Sequence, residues 1–131
     1  MPSRILELSA AIASALSAEQ AEVCLYPSYS LRDLETRRTV VVPQGVEYRA
    51  LSRRESRRVY KVAVGFLRRT TEDGLPTHIA ASEAAADAFL HRRLGAFVCT
   101  GAEHDPLYSP EQLRENGVFA SVLVLEFTLA A

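Results

Sequence analysis

The sequence predicts one α+β domain: a mostly antiparallel four-stranded sheet with two helices packed on one face. A short third helix and an extended arginine-rich loop or hairpin arm complete the prediction. Three patterns lead to it: a helical repeat of apolar residues near the N-terminus, a two-residue alternation over 59–67, and a long apolar strand over 118–129. The 131 residues contain no linker-like stretch, so a single domain spanning 1–131 is expected.

The first predicted helix covers about residues 4–16, with Ser3 as its N-cap. Apolar residues recur there at helical spacing: Ile5, Leu8, Ile12 and Leu16. Short strands are predicted at 23–25 and 39–42 because both are rich in branched apolar residues. The Pro43-Gln44-Gly45 sequence then predicts a bend or a β-bulge.

Residues 59–67 give the clearest strand pattern of the chain. The even positions are apolar and are expected to face the core: Tyr60, Val62, Val64 and Phe66. A second helix is predicted over about 77–94, because Arg92 and Arg93 would occupy its last turn and Gly95 would follow its end.

A short helix is predicted to start at Ser109, followed by Pro110, and to close at Gly117. The last strand, 118–129, is apolar on both faces. One face carries Phe119, Leu123, Leu125, Phe127 and Leu129. Val122 and Val124 lie on the other face, so this strand is either central in a two-layer fold or covered by a neighbouring subunit.

The net charge of −1 does not indicate a particular class of partner, but the charges are unevenly distributed along the chain. Basic residues crowd one segment, opposed there only by Glu55: Arg49, Arg53, Arg54, Arg57, Arg58, Lys61, Arg68 and Arg69. Acidic residues gather over 103–115 and around Glu83 and Asp87. Separated charge of this kind suits head-to-tail pairing of identical chains, although a solvated loop is the simpler interpretation of an arginine run.

Nothing in the sequence predicts catalysis. There is no nucleophile-elbow serine and no glycine-rich phosphate loop. His104 and Asp105, near Cys99, form a weak candidate for a metal site because they lack paired ligand spacing. We therefore expect a protein that is not an enzyme and that has no metal, no cofactor and no catalytic residue. Cys24 and Cys99 are expected to be free thiols.

The N-terminus lacks the apolar stretch of a signal peptide, and no run is long enough to span a membrane. A cytosolic protein without a membrane partner is expected. The arginine segment could also contact nucleic-acid phosphates without sequence preference. Only Tyr48 and Tyr60 flank it, which is a poor stacking platform, so contact with a protein partner is favoured over direct DNA recognition.

Five segments together resemble the small tail proteins of long-tailed bacteriophages. These are residues 39–47 (TVVVPQGVE), 51–53 (LSR), 60–65 (YKVAVG), 105–113 (DPLYSPEQL) and the closing strand 119–127 (FASVLVLEF). Within that group the chain most resembles the tail terminators and other tail-completion proteins of the neck region.

The resemblance implies a homohexameric ring at the head-proximal end of the tail tube. The ring would end tube polymerisation and join the tail to the neck. The implied partners are other copies of the chain, the tail tube protein and a neck or head-completion protein, with genomic DNA able to pass through the ring lumen. The implied location is the tail–neck junction of the virion, after assembly in the host cytoplasm.

Seven residues are predicted to contact other subunits or partners: Arg49, Arg53, Arg54, Arg57, Arg58, Val122 and Val124. The arginines would form an arm that contacts a partner or lines the lumen, and the two valines would form a contact surface. Two alternatives stay open. One is a head-closure or adaptor protein of the same neck region, and the other is a small nucleic-acid-binding module built on the basic arm.

Overall fold

A computed structural model of the protein describes residues 3–16, 21–25, 37–53 and 56–129. Three α-helices are present in these ranges: α1 (Arg4–Ala15), α2 (Leu75–Phe89) and α3 (Pro110–Asn116). Six strands form one sheet: β1 (Glu22–Val23), β2 (Arg37–Ala50), β3 (Ser56–Arg69), β4 (Arg93–Leu94), β5 (Phe97–His104) and β6 (Val118–Leu129). Their spatial order is β1-β2-β3-β6-β5-β4, and the sheet curls into a half-barrel.

The predicted fold class is therefore wrong. The sheet has six strands where four were expected, and it is mixed because β1 runs parallel to β2 while every other neighbouring pair is antiparallel. Three helices accompany this six-stranded half-barrel, where a four-stranded antiparallel sheet with two helices on one face and a short third helix was predicted. The strands at the two edges of the sheet, β1 and β4, are only two residues long.

The centre of the sheet is a long hairpin of two 14-residue strands, β2 and β3. Its register shifts between Pro43 and Gly45, which confirms the bulge predicted at this sequence. The extra residue reverses which face the later residues of β2 occupy. Val42, before the bulge, shares a face with Ala63, whereas Val46, after it, shares the opposite face with Tyr60.

The core lies on one face of the sheet, which we call the inner face. Odd residues of β6 lie across the sheet from the four even residues of β3 that were predicted to face the core, all of which are buried there: Tyr60, Val62, Val64 and Phe66. Leu8 and Ile12 of α1 and Phe89 of α2 pack into the same cluster. Tyr60 meets Phe97 edge to face, with ring centroids 5.5 Å apart, a preferred aromatic geometry.

The predicted caps explain where α1 and α3 begin. The Ser3 side chain accepts a hydrogen bond from the Leu6 amide at 3.3 Å, and Ser109 accepts one from the Gln112 amide at 3.2 Å. Each serine thus satisfies one of the amides that the first turn of a helix leaves without a partner. Gly117 ends α3 in the left-handed conformation, with φ of 62°, where glycine carries little steric cost.

The second helix ends five residues earlier than predicted. It stops at Phe89, and Arg93 and Leu94 form β4, which pairs with Val98 and Phe97 of β5. Gly95, with φ of 60°, belongs to the turn of this β4–β5 hairpin and does not cap the helix. The hydrogen bonds of β4 and the burial of Phe97 stabilise this hairpin more than Arg92 and Arg93 would stabilise a further turn of helix.

A small polar cluster connects α2 to the inner face of the sheet. The Ser82 hydroxyl lies 2.9 Å from Nε2 of His104 and 3.1 Å from the Ser121 hydroxyl. Both serines are buried, and His104 Nε2 also lies 3.2 Å from the Ser82 carbonyl oxygen. Because each hydroxyl has a partner, the cluster links a helix, β5 and β6 without an uncompensated polar group.

Ser82→Ala is expected to lower the free energy of unfolding by about 1–3 kcal/mol, since it leaves the buried Ser121 hydroxyl without its partner. The Ser82→Ala, Ser121→Ala double variant should lose less than the sum of the two single variants, because it removes both partners together. Urea unfolding measures these differences, with Ser14→Ala on the exposed side of α1 as the control. Additive losses from the two serines would contradict the link.

Candidate interaction surface

The β2–β3 hairpin continues past its neighbours in the sheet. Pairing of β3 with β6 begins at Val59, whereas pairing of β3 with β2 begins three residues earlier, at Ser56. We call residues 48–58 the arm; 54 and 55 lie outside the described residues. The predicted arginine-rich arm therefore contains a two-stranded ribbon that projects from the end of the sheet, in which residues 48–50 pair with residues 56–58.

Every described residue of the arm is exposed. Two apolar side chains on it are among the most exposed of the protein: Tyr48 at 67% and Leu51 at 60%. The Arg58 guanidinium lies 5.3 Å from the centroid of the Tyr48 ring, a cation–π distance. Exposed tyrosine and arginine together are the composition that protein interfaces enrich.

The arginines of the arm have different electrostatic surroundings. Arg49 donates a hydrogen bond from Nε to Glu47 at 2.9 Å, and this pair raises the pKa of Arg49 and lowers the pKa of Glu47. Arg57 lies directly across from Arg49 in the ribbon. Like charges in opposite positions of two strands repel. The Arg49–Glu47 pair offsets part of this repulsion, whereas neither Arg53 nor Arg57 has an ion pair among the described residues.

Val122 and Val124 lie on the face of β6 opposite the core, the outer face of the sheet, and both are half-buried. Val124 is paired with Ala63, and Val122 with Gly65. Gly65 has no side chain and Ala63 has only a methyl group, so no large side chain of β3 stands beside the two valines. This part of the outer face is therefore shallow and apolar. Towards the start of β6 the same face is closed, because Leu67 and Val118 are buried there.

The structure brings part of the predicted site onto one side of the molecule. Arg49 and Arg57 point to the outer face, because residues after the bulge alternate with Val46 and Tyr60 on the inner face. They therefore share a face with Val122 and Val124. Arg58 points to the opposite face, Arg53 lies in the exposed turn, and Arg54 is outside the described residues.

Sequence reasoning missed a groove on this same outer face. It has a volume of about 230 Å³ and is lined by Lys61, Gly101, Ala102, Glu103, Val124 and Glu126. A second β-bulge, between Cys99 and Gly101, turns Gly101 to the outer face. A Cβ atom at Gly101 would lie 3.2 Å from Oε2 of Glu126, so a larger residue there would crowd the groove. The TGA sequence around the bulge was the available signal.

Two carboxylates give the groove its charge. Glu126 pairs with Lys61 at 3.5 Å. Glu103 is exposed and has no ion pair with another described residue. The groove therefore presents one carboxylate that is not neutralised, beside the apolar side chain of Val124.

The histidine and the two cysteines considered in the sequence analysis have the following surroundings. His104 is hydrogen-bonded to Ser82, and within the described ranges no three His, Cys, Asp or Glu residues are placed to hold a metal ion. Cys24 and Cys99 are free thiols, and burial raises the pKa of the Cys99 thiol above its ordinary value. None of the described helices has the length and apolar character needed to cross a membrane.

Comparison with known proteins adds no relative. No family model matches the chain, and a search of curated proteins gives no significant match.

Proposed function

We propose that the chain is a structural subunit that assembles with copies of itself into a ring at the head-proximal end of a bacteriophage tail tube. There it ends tube polymerisation and joins the tail to the neck. The subunit acts by contact and not by catalysis. Its partners are the neighbouring copies, the tail tube protein and a neck protein, with genomic DNA passing through the lumen.

The observation that carries the proposal is that one face of the subunit has both a projecting arm and an apolar patch. The arm extends beyond β6 and exposes Tyr48 and Leu51, and its Arg49 and Arg57 face the same side as Val122 and Val124. Two different contact surfaces on one subunit are what a heterologous contact needs, and such contacts close into rings when the rotation between neighbours permits.

The sequence resemblance supplies the biological setting of this assembly. The segments that resemble phage tail proteins include the bulged part of β2, the core of β3 and nearly all of β6, which are the strands that carry the arm and the patch. A ring of six copies of the 14.4 kDa chain would have a mass of about 86 kDa.

The test is electron microscopy of a lysate of the phage with the coding sequence of this chain deleted. We expect overlong tail tubes beside unattached heads, because nothing would stop tube growth. Supplying the chain from a plasmid is the control and should restore tails of normal length. Normal-length tails beside emptied heads would instead assign the chain to head closure, and normal infectious particles would overturn a role in the virion.

A further inference from the structure

Several charges on the outer face have no ion pair with a described residue, Arg93 of β4 among them; two of these charges, on Arg57 and Glu103, have opposite signs and lie apart. Arg57 is at the base of the arm, two residues before Val59, at which the pairing of β3 with β6 begins. Glu103 lies in the groove beside Val124. Val124 is level with Ala63, six residues along β3 from Arg57, which corresponds to about 20 Å in a strand.

One copy cannot join these two charges. The arm is a paired ribbon that continues β2 and β3, so folding it back over the outer face would break its ladder hydrogen bonds. The nearer part of the face is already balanced, because Arg49 pairs with Glu47 and Lys61 pairs with Glu126. Arg57 and Glu103 therefore have no ion pair among the described residues, and both are exposed to a partner from outside the chain.

We propose that the arm of one copy docks in the outer-face groove of the next copy, where Arg57 pairs with Glu103 and packs against Val124. The occupant of the groove is a second copy of this chain, because the same chain carries both complementary parts. The contact relieves the repulsion between Arg49 and Arg57 by placing a carboxylate beside them. It also leaves one free arm and one free groove in every open chain of copies, until a ring closes.

This inference rests on the self-assembly proposed above and specifies its contact. The test is a charge swap with three variants: Arg57→Glu, Glu103→Arg, and both changes in one chain. Each single variant is expected to weaken self-association at least about tenfold, because two like charges then meet in the contact. The double variant should return to within about threefold of the parent, since its acidic arm meets a basic groove. Sedimentation velocity over a concentration series measures the association.

Two controls make the result specific. Arg114→Glu makes the same charge change as Arg57→Glu at an exposed residue of α3, and Glu111→Arg makes the same change as Glu103→Arg on the same helix; both should associate like the parent. An equimolar mixture of the two single variants should also associate. One variant has an acidic arm and an acidic groove, the other has a basic arm and a basic groove, and each acidic part then meets a basic part of the other variant.

The outcomes separate this contact from the proposed function. Single variants that associate normally, or a double variant that does not recover, would overturn the arm–groove contact and leave the ring proposal standing. A parent chain that stays monomeric at every concentration and does not bind tube ends would overturn both.

Discussion

Val62→Asp is expected to leave the chain without a cooperative folded state. Val62 is completely buried, lies in the middle of the central strand β3 and faces both Pro43 and Leu125 across the sheet. No charged group is part of the core cluster that would surround the new carboxylate. Burying an unpaired charge there should cost about 5 kcal/mol or more, which is comparable to the whole stability of a small domain.

Circular dichroism and urea unfolding measure this effect. The matched control is Ala63→Asp, which introduces the same charge at the next residue of the same strand, on the half-buried outer face. It should fold, with a loss of about 1 kcal/mol in the free energy of unfolding. A well-folded Val62→Asp protein would reverse the assignment of the inner and outer faces.

The paired reversal Arg53→Glu, Arg54→Glu is expected to abolish assembly while the fold stays intact. Arg53 is exposed in the turn at the tip of the arm, so its replacement should change the free energy of unfolding by less than about 0.5 kcal/mol. The charge of the arm, however, changes by four units. That change removes the basic character through which an acidic partner would recognise it.

The assay is complementation of the deleted phage, scored by tail length and by attachment of heads. Arg92→Glu, Arg93→Glu is the control, because it makes an equal charge change at two exposed arginines distant from the arm in the sequence. The control should complement normally. Complementation by the tip variant at the parental level would contradict the assignment of the arm as a contact surface.

The regular parts of the fold could be predicted because their sequences follow one period from end to end. The alternation over β3 identified its buried face, and the serine caps located the starts of α1 and α3. Local physics determines these features, since a strand with one apolar face can be buried in only one register.

The rest of the fold depended on contacts between distant segments. β5 escaped prediction because its bulge after Cys99 interrupts the alternation and Gly101 lowers its strand propensity. β4 is two residues long and exists through its pairing with β5. Nothing in the sequence of either strand indicates that β1 pairs parallel to β2, because the direction of pairing depends on contacts between separate segments of the chain.

The candidate site shows the same division. The sequence identified the arginines and the two valines as separate features. Arg57 shares a face with Val124 through the regular alternation of β3. Arg49 joins them because of the bulge between Pro43 and Gly45, whose effect on side-chain direction can be counted only when the pairing is known. Glu103 had no signal of its own, since it enters the groove through the register of an unpredicted strand.

The two edges of the sheet affect how readily a strand of another molecule can add to it, which is one route to aggregation. A long bare edge strand is a template to which any other strand can add, and a chain concentrated enough to form rings would be exposed to that error. Here the outermost strands, β1 and β4, offer two residues each. Each covers only two residues of the longer strand beside it, so residues 42–50 of β2 have no strand on that side among the described residues. Pro43, the bulge after it and Arg49 of the arm lie along this stretch, and proline, bulges and charge are the features by which an edge discourages the addition of a further strand.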